Sequence, residues 1–220
     1  MKYERIERAT FLERPNRFIA YARIAGKQET IHVKNTGRCA ELLVPEAEIF
    51  VQESDNPERK TKWDLIGVRK GDRLINMDSQ IPNKVVEEWL RAGNLFLEPV
   101  AVRPETTYGN SRFDFYVESG ETKAFIEVKG VTLEEDGVVR FPDAPSERAV
   151  KHVEELIRAK KEGYDAYVFL VIQMKGVRYF TPNMDTQPEF GEVLKKAKAA
   201  GVKVLFLQCE VGRDLSLIHI

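Results

Sequence analysis

The chain has 220 residues and a net charge of -1, with 31% charged and 43% hydrophobic residues. This length allows one large domain or two small ones, and the balanced charge excludes an overall basic field, so any nucleic-acid contact must be a local patch. No apolar stretch approaches the length of about 20 residues that crosses a bilayer, and the charged start does not resemble a signal peptide. We therefore expect a soluble cytoplasmic protein without a membrane partner. Cys39 and Cys209 have no metal-ligand spacing, and we expect two buried thiols.

The N-terminal part of the chain has the pattern of short β-strands separated by turns. The predicted strands are 18–24, 29–34, 48–52, 63–68 and 73–77. About five short strands in roughly 80 residues predict a small OB-like β-barrel. Barrels of this kind bind oligonucleotides or oligosaccharides, so an oligosaccharide-binding barrel is one alternative function.

One face of this barrel contains basic and aromatic side chains. They are Arg17, Tyr21, Arg23, His32 and Lys34. Such groups suit single-stranded nucleic acid, where stacking contributes about 1 to 3 kcal/mol per base. The same residues also suit an ordinary solvated barrel face, which the pattern favours.

The junction Ile81-Pro82-Asn83 divides the chain into predicted domains at 1–81 and 82–220. In the second domain Asn83 is predicted to cap a helix that continues to Ala92, and Ser146 to cap a helix over 147–162. The remaining predicted elements are strands at 95–102, 111–117, 123–131, 166–172 and 202–207 and a helix at 188–200, and the last two strands are predicted to be buried. The fold class is therefore α/β overall, with an OB-like barrel followed by an α/β domain.

The second and third strands of that domain carry two acids and a lysine. Side chains alternate along a strand, so Glu127 and Lys129 point to one face, and Asp114 lies opposite Phe113 and Phe115. A turn at 118–121 pairs the strands as a hairpin and brings Asp114 beside Glu127. Two close carboxylates need a cation, and hard oxygen ligands suit Mg²⁺ or Mn²⁺. Such a centre polarises a phosphate and activates water.

A cross-strand salt bridge is the alternative interpretation of these residues, because Glu-x-Lys is common in a highly charged chain. Two further copies, at 58–60 and 121–123, lie in polar sequence typical of turns. Only the copy at Glu127 is embedded in an apolar strand. The order helix, three strands, helix, strand, with an acid on the second strand and Glu-x-Lys on the third, is similar to the PD-(D/E)XK nuclease core and favours the metal site.

Four ordered segments resemble the sugar fermentation stimulation protein A (SfsA) family. The segments are Asn-Thr-Gly-Arg at 35–38, Ser-Arg-Phe-Asp-Phe at 111–115, Glu-Val-Lys-Gly-Val-Thr-Leu at 127–133, and Phe-Pro-Asp-Ala at 141–144 followed by Glu147, Arg148, Lys151 and His152. The resemblance extends through nearly the whole chain. It implies an OB-like domain joined to a PD-(D/E)XK nuclease-like domain, and DNA as the partner, either single- or double-stranded.

The resemblance also implies roles for individual residues. Asp114 and Glu127 are predicted metal ligands, with the carbonyl of Val128 as a further ligand, as in similar nucleases. Lys129 is predicted to orient water or to stabilise charge in the transition state. The predicted catalytic residues are thus Asp114, Glu127 and Lys129, with Mg²⁺ or Mn²⁺ as cofactor. The predicted nucleic-acid-binding residues are Asn35, Thr36, Arg38, Arg112, Arg148, Lys151 and His152.

Several of these residues keep a second interpretation. Arg148, His152 and Glu155 form a polar stripe on one helix face, which either faces the metal site or is solvated. The segment 35–38 either contacts DNA or forms a tight turn that uses Gly37 at positive φ. Asp143 is a third acid or a turn residue. Arg112 contacts phosphate or pairs with a nearby acid.

Two functions from different classes follow from this pattern. The first is a DNA-binding, divalent-metal-dependent nuclease. The second is a non-catalytic DNA-binding regulator of sugar metabolism genes that retains a nuclease-like core. The complete set of acid, acid and lysine favours the nuclease.

Overall fold

The computed structural model describes residues 3–56, 58–96, 101–212 and 217–219. These residues form two six-stranded sheets, one three-stranded sheet and three helices. None of the helices in the described ranges is both long and apolar enough to pass through a membrane. Cys39 and Cys209 are buried free thiols, as predicted.

The N-terminal strands close into a barrel. They are β1 (Ile6–Glu13), β2 (Ile19–Ile24), β3 (Lys27–Val33), β4 (Glu48–Glu53), β5 (Trp63–Lys70) and β6 (Arg73–Asn76). The sheet order is β3-β2-β1-β4-β5-β6, and a parallel pairing of β3 with β5 closes the first five strands. Ile31, Val51 and Leu65 lie fully buried inside. The predicted OB-like barrel is confirmed.

The second unit is a mixed sheet with helices on both faces. Its elements are α1 (Ile81–Arg91), β7 (Ala101–Tyr108), β8 (Ser111–Ser119), β9 (Thr122–Val131), β10 (Leu133–Glu135), β11 (Val138–Phe141), α2 (Glu147–Lys161), β12 (Asp165–Ile172), β13 (Tyr179–Pro182), α3 (Pro188–Ala199), β14 (Lys203–Val211) and β15 (Leu217–His219). The large sheet has the order β15-β14-β12-β9-β8-β7, and β10, β11 and β13 form a smaller sheet. The predicted α/β architecture is confirmed.

The two faces of the large sheet pack against different helices. Helix α1 buries Val86 and Leu90 in one cluster with Phe115 of β8. On the opposite face, Leu156 of α2 shares a cluster with Phe125 of β9. Burial of each such apolar side chain contributes roughly 1.5 to 3 kcal/mol to the free energy of folding. The part of the sheet that carries the two acids, on the interior strands β8 and β9, is therefore held between helices on both sides.

Three local predictions differ from the structure. The N-cap of α1 is Gln80, so Asn83 lies inside the helix instead of capping it. The strand predicted at 95–102 falls partly outside the described residues, and β7 begins at Ala101 and extends to Tyr108. Strand β14 is less buried than predicted, since Phe206 is 53% exposed. The Ser146 cap is confirmed, because its Oγ accepts a hydrogen bond from Ala149 N at 3.2 Å.

Polar contacts join the barrel to the second unit. Gln173, at the end of β12, donates from Nε2 to the carbonyls of Asn76 (3.0 Å) and Asp78 (3.1 Å). Glu134 is 1% exposed and accepts hydrogen bonds from Lys70 (3.0 Å) and Arg73 (2.5 Å), both on the barrel side. Because these contacts are buried at the junction, they fix the position of one unit against the other. The predicted domain limits 1–81 and 82–220 stay a prediction.

Candidate active site

The two acids lie where the β8–β9 hairpin stops pairing. The strands pair antiparallel from Ser119–Thr122 to Phe115–Ile126, and Asp114 and Glu127 each lie one residue beyond the last pair. The N–H of Val128 donates to Asp114 Oδ2 at 2.7 Å. The Asp114 carboxylate therefore extends the hairpin contact at the point where the described strand pairing ends.

Strand β8 does not alternate regularly at this point. The prediction that Phe113 and Phe115 share a face was wrong. Phe113 packs on the α2 side of the sheet, where its ring centroid lies 5.2 Å from that of Phe125, whereas Phe115 lies in the core on the α1 side. The β7–β8 pairing also omits Glu105, which has a φ of +52°. The register is the same on both sides of Glu105, so no extra residue is inserted in either strand there.

The Asp114 carboxylate reaches α1. Its Oδ1 accepts a hydrogen bond from Asn83 Nδ2 at 2.8 Å. Each oxygen of Asp114 thus accepts one hydrogen bond, and each keeps a lone pair for a further ligand. Sequence reasoning missed this role of Asn83, because an Asn near a helix start is also the common signal for a cap.

Glu127 has an asymmetric environment. The residue is 2% exposed, and its Oε1 accepts from Lys129 Nζ at 2.5 Å and lies 2.6 Å from His152 Nδ1. Its Oε2 is buried and has no hydrogen-bond partner among the described residues. A buried polar atom without a partner is destabilising, so this oxygen marks the place where a cation would be favourable.

His152 is held in one tautomer by its two neighbours. Arg148 Nε lies 3.3 Å from His152 Nε2. A guanidinium can only donate, so the neutral ring must accept at Nε2 and carry its proton on Nδ1. His152 therefore donates to Glu127 and orients its carboxylate.

The two carboxyl groups have pKa values displaced in opposite directions. Burial, and secondarily the negative charge of Glu127, raises the pKa of Asp114 above its ordinary value of 3.8. Burial alone would also raise the pKa of Glu127, but the His152 hydrogen bond and the Lys129 charge outweigh it and lower that pKa. Two acids whose environments separate their pKa values are typical of functional sites.

The donor set fits a hard divalent cation. It consists of the Asp114 and Glu127 carboxylates, with the Val128 carbonyl as the predicted third ligand, and oxygen donors of this kind suit Mg²⁺, Mn²⁺ and Ca²⁺. The described ranges contain no cluster of three or more His, Cys, Asp or Glu side chains arranged for a metal. The site is therefore a two-carboxylate site, and the unpartnered Oε2 of Glu127 is the observation that fits a metal there.

The polar stripe of α2 faces this site through His152, which is 5% exposed. Arg148 and Lys151 are exposed beside it, and Lys151 Nζ donates to Asn110 O at 3.1 Å. Arg112 lines the same surface pocket as Arg148 and Lys151, and its Nη1 lies 3.5 Å from Glu105 Oε2. Arg112, Arg148, Lys151 and His152 therefore lie together next to Glu127.

The segment 35–38 lies elsewhere, in a cleft of about 870 Å³ between the barrel and the second unit. Arg14 organises it by donating to the carbonyls of Asn35 (2.8 Å), Gly37 (2.9 Å) and Arg38 (2.9 Å). Thr36 and Arg38 are exposed in the cleft. Sequence reasoning gave Arg14 no role, because a side chain that binds carbonyls of a distant loop leaves no local pattern.

Gly37 is required for a different reason from the predicted one. It is not among the described residues with positive φ, so the proposed left-handed turn was wrong. A Cβ at Gly37 would lie 2.7 Å from Asp143 Oδ2 and 3.0 Å from Asn35 Oδ1. Asp143 itself accepts from Cys39 N at 2.7 Å. Asp143 lies in a bend just before α2, and its carboxylate also anchors this barrel loop to the second unit.

The cleft is basic and adjoins the candidate metal centre. Arg17, Arg38 and Arg140 line it, and Gly130, next to Lys129, forms part of its wall. A Cβ on Gly130 would lie 2.5 Å from Gln173 Oε1, so the close packing of this wall requires glycine. The predicted nucleic-acid-binding residues therefore fall into two groups, one in the cleft and one beside His152 at the start of α2.

The basic residues on the barrel face are largely paired with acids. His32 Nδ1 lies 3.1 Å from Asp64 Oδ1, and Lys34 Nζ donates to Asp78 at 2.9 Å. Arg23 contacts Glu46 at 3.3 Å. These contacts agree with the ordinary solvated face favoured by the sequence.

Comparison with known proteins matches both parts of the chain to one family. The family model described as "SfsA N-terminal OB domain" matches residues 12–77, and the model described as "Sugar fermentation stimulation protein RE domain" matches residues 80–214. The chain belongs to the SfsA family. The predicted family resemblance is thereby confirmed.

Individual SfsA relatives are similar over nearly the full length. A sugar fermentation stimulation protein homolog from Clostridium beijerinckii is 60% identical over 97% of this chain and 95% of its own length. A homolog from Desulfitobacterium hafniense is also 60% identical, over 97% of this chain and 93% of its own length. The solved structure of Pyrococcus furiosus SfsA in complex with Ca²⁺ has a TM-score of 0.91 and 27% identity, and covers 100% of this chain and 95% of that one.

Proposed function

We propose that this SfsA protein is a DNA-binding, divalent-metal-dependent nuclease. The observation that carries the proposal is the buried Oε2 of Glu127, which has no partner among the described residues and lies in an acid pair with Asp114. The Pyrococcus furiosus relative was solved in complex with Ca²⁺, which supports divalent-metal binding by this protein. Mg²⁺ or Mn²⁺ is the proposed physiological ion, because both prefer oxygen ligands and assist phosphoryl chemistry.

The protein's own residues hold the carboxylates in place. Asn83 and the Val128 N–H fix Asp114, and His152 fixes Glu127. When bound, the metal ion would polarise the phosphate and lower the pKa of a water molecule. Hydrolysis joins the water oxygen to phosphorus and breaks the bond to a sugar oxygen, which takes up a proton.

Lys129 supplies positive charge at the same place. Its side chain is 15% exposed and its Nζ donates to Glu127 Oε1. A largely buried cation stabilises the negative charge that develops on the phosphate more strongly than an exposed one, because water screens it less. We assign Lys129 this role in catalysis.

The basic cleft is the proposed DNA-binding surface. Arg17, Arg38 and Arg140 line a groove that passes from the barrel loop to Gly130, beside Lys129. Arginine contacts to phosphates supply most sequence-independent affinity and make it depend steeply on salt. Asn35 and Thr36 lie in the same groove and provide further polar groups for phosphates or bases.

A non-catalytic DNA-binding regulator is the second candidate. One observation favours it, namely that Glu127 Oε1 already has two close contacts, with Lys129 Nζ at 2.5 Å and His152 Nδ1 at 2.6 Å. In that case Lys129 would simply neutralise the buried Glu127, and His152 would donate a hydrogen bond to it. The two functions differ in turnover and not in binding.

The test is a cleavage assay on purified protein. Supercoiled, linear and single-stranded DNA and RNA are incubated with Mn²⁺, Mg²⁺ or EDTA, using wild type, Asp114→Ala and the exposed control Asp72→Ala. We expect cutting by wild type and Asp72→Ala only with metal, and at least a 10²-fold loss in Asp114→Ala. Equal cutting by wild type and Asp114→Ala, or no cutting of any substrate, would contradict the nuclease. DNA binding that persists without any cleavage would favour the regulator.

A further inference from the structure

A pocket of about 550 Å³ lies between the start of β8 and the first turns of α2. We call it the α2 pocket, and define it by Ser111, Arg112, Glu147, Arg148, Lys151 and His152. It adjoins the candidate metal centre, because His152 forms part of its wall and also contacts Glu127. Three side chains of the pocket, on Arg112, Arg148 and Lys151, are cationic, and one, on Glu147, is acidic. The pocket is therefore suited to an anion.

The described contacts of these cations leave donors for a ligand. Arg148 uses Nε for its contact with His152, and Lys151 donates to a neutral carbonyl at Asn110. Arg112 is 58% exposed, and its 3.5 Å approach to Glu105 is a weak surface pair. Two guanidinium groups and an ammonium group provide the donor geometry that proteins use for phosphate oxygens.

Ser111 provides an independent sign of a missing ligand. The residue is 5% exposed, its Oγ is buried, and this oxygen has no hydrogen-bond partner among the described residues. A buried hydroxyl without a partner is unfavourable. A phosphate oxygen in the pocket would give this hydroxyl its acceptor.

We propose that the α2 pocket binds a phosphate group of the nucleic-acid strand other than the phosphate that is cleaved. This inference rests on the proposed function. Ser146 lines the basic cleft whereas Glu147 and Arg148 line the α2 pocket, so the first turn of α2 separates the two. A strand bound across Asp114 and Glu127 would meet the cleft on one side and the α2 pocket on the other. The substrate is thereby held at two positions that flank the site.

The ligand chemistry is a phosphate from either of two sources. It is the terminal phosphomonoester of a strand end, or an internal phosphodiester of a continuing strand. Both would use the same donors. Removal of the phosphate from the strand end eliminates the terminal phosphomonoester but leaves the internal phosphodiester in place.

The test measures binding in EDTA, so that it does not depend on turnover. A short single-stranded oligonucleotide with a central fluorescent label is titrated with wild type, Arg148→Gln/Lys151→Gln, and the control Lys196→Gln/Lys198→Gln. The control removes the same charge from two exposed residues of α3 that line none of the described pockets. We expect the α2 double variant to bind about tenfold more weakly, with a salt slope reduced by roughly 0.7, since each phosphate neutralised on a single strand contributes about that much.

Ser111→Ala separates ligand binding from folding. Removal of an unpaired buried hydroxyl should leave the melting temperature unchanged or higher, whereas the affinity for the oligonucleotide should fall about threefold or more. Oligonucleotides with and without 5′ and 3′ phosphates then identify the source. A terminal monoester is shown by weaker wild-type binding after dephosphorylation, and an internal diester by wild-type binding that is unchanged while the double variant stays impaired. Both results support the pocket.

The inference is overturned if the α2 double variant and Ser111→Ala bind the oligonucleotide as tightly as the α3 control. Failure of the proposed function has a different signature. A protein that never cleaves but loses affinity in the α2 double variant supports the pocket and contradicts the nuclease. Metal-dependent cleavage with unchanged affinity in that variant supports the nuclease and contradicts the pocket.

Discussion

His152 Nδ1 lies 2.6 Å from Glu127 Oε1, and both side chains are almost fully buried. Because Arg148 contacts the other ring nitrogen, the histidine is oriented to donate its proton to the carboxylate. The contact joins α2 to the middle of β9, and Oε2 of Glu127 has no hydrogen-bond partner among the described residues. His152 is therefore a positioning residue of the candidate metal centre.

Replacement of His152 should weaken metal binding, and the loss should be smaller when the new side chain still has an N–H donor for Glu127. We expect His152→Ala to lower the Mn²⁺ affinity by about 10- to 100-fold, the usual effect of removing a group that orients a metal ligand. His152→Asn should lose less, because an amide N–H can replace the Nδ1 donor. Calorimetric titration with Mn²⁺ measures both. Equal affinities in wild type and His152→Ala would contradict the positioning role.

Substitution of Gly37 should distort the cleft through Asp143. The Cβ of Gly37→Ala would lie 2.7 Å from Asp143 Oδ2, so we expect a loss of roughly 1 to 3 kcal/mol in the free energy of unfolding and weaker DNA binding. In the Asp143→Ala background the same change should be less destabilising, since the obstructing carboxylate is absent. Chemical denaturation of the four proteins gives the coupling energy. If the effects of Gly37→Ala and Asp143→Ala on the free energy of unfolding are additive, the contact between the new Cβ and Asp143 is not the cause of the destabilisation.

Removal of Glu134 should loosen the junction between the two units. Glu134→Ala leaves Lys70 and Arg73 without their buried partner, and we expect a loss on the order of 3 kcal/mol in the free energy of unfolding. The neighbouring Glu135 is 51% exposed and contacts Arg140 at the surface. Glu135→Ala should therefore change stability by less than about 1 kcal/mol. Similar losses in the two variants would mean that burial at the junction contributes little.

The stability of the protein should fall as pH rises through the Glu41 titration. Burial raises the pKa of Glu41 from 4.5 to about 7, and its Oε1 is buried without a partner among the described residues. The folded state then binds a proton more tightly than the unfolded chain, so stability is lost between pH 4.5 and 7. The loss is at most about 3 kcal/mol, and less where water screens the group.

Glu41→Gln isolates this contribution. At pH 8 the variant should be more stable than wild type by up to about 3 kcal/mol, and below pH 4.5 the difference should disappear. Glu7→Gln, at an exposed position, is the matched control and should show no such window. Urea denaturation at several pH values measures the effect. A constant difference between Glu41→Gln and wild type at all pH values would exclude the titration of Glu41 as its source.

Local signals in the sequence predicted the elements that carry the site. The alternation at 111–117 and 123–131 and the turn between them predicted the β8–β9 hairpin, and Ser146 predicted the start of α2. These features depend on neighbours within a few residues, and such neighbours are visible in sequence. The position of Asp114 beside Glu127 follows from the hairpin register.

Contacts between distant residues could not be predicted. Asn83 was assigned a cap, whereas its partner is Asp114, on a strand far along the chain. The need for glycine at position 37 comes from Asp143 of the other unit. The packing of Phe113 in the core on the α2 side depends on the irregular alternation of β8, and the polar segments of the small sheet carry little periodicity. Each of these depends on packing between elements, which a linear pattern does not encode.

The most direct test of the central claim is a calorimetric titration of Mn²⁺ into wild type, Asp114→Asn and the exposed control Asp72→Asn. Because the pKa of Asp114 is raised, metal binding should release protons and weaken as the pH falls through the Asp114 titration. We predict saturable binding to wild type and Asp72→Asn and at least a tenfold loss in Asp114→Asn. Binding of equal affinity to wild type and Asp114→Asn would contradict a metal centre at Asp114 and Glu127.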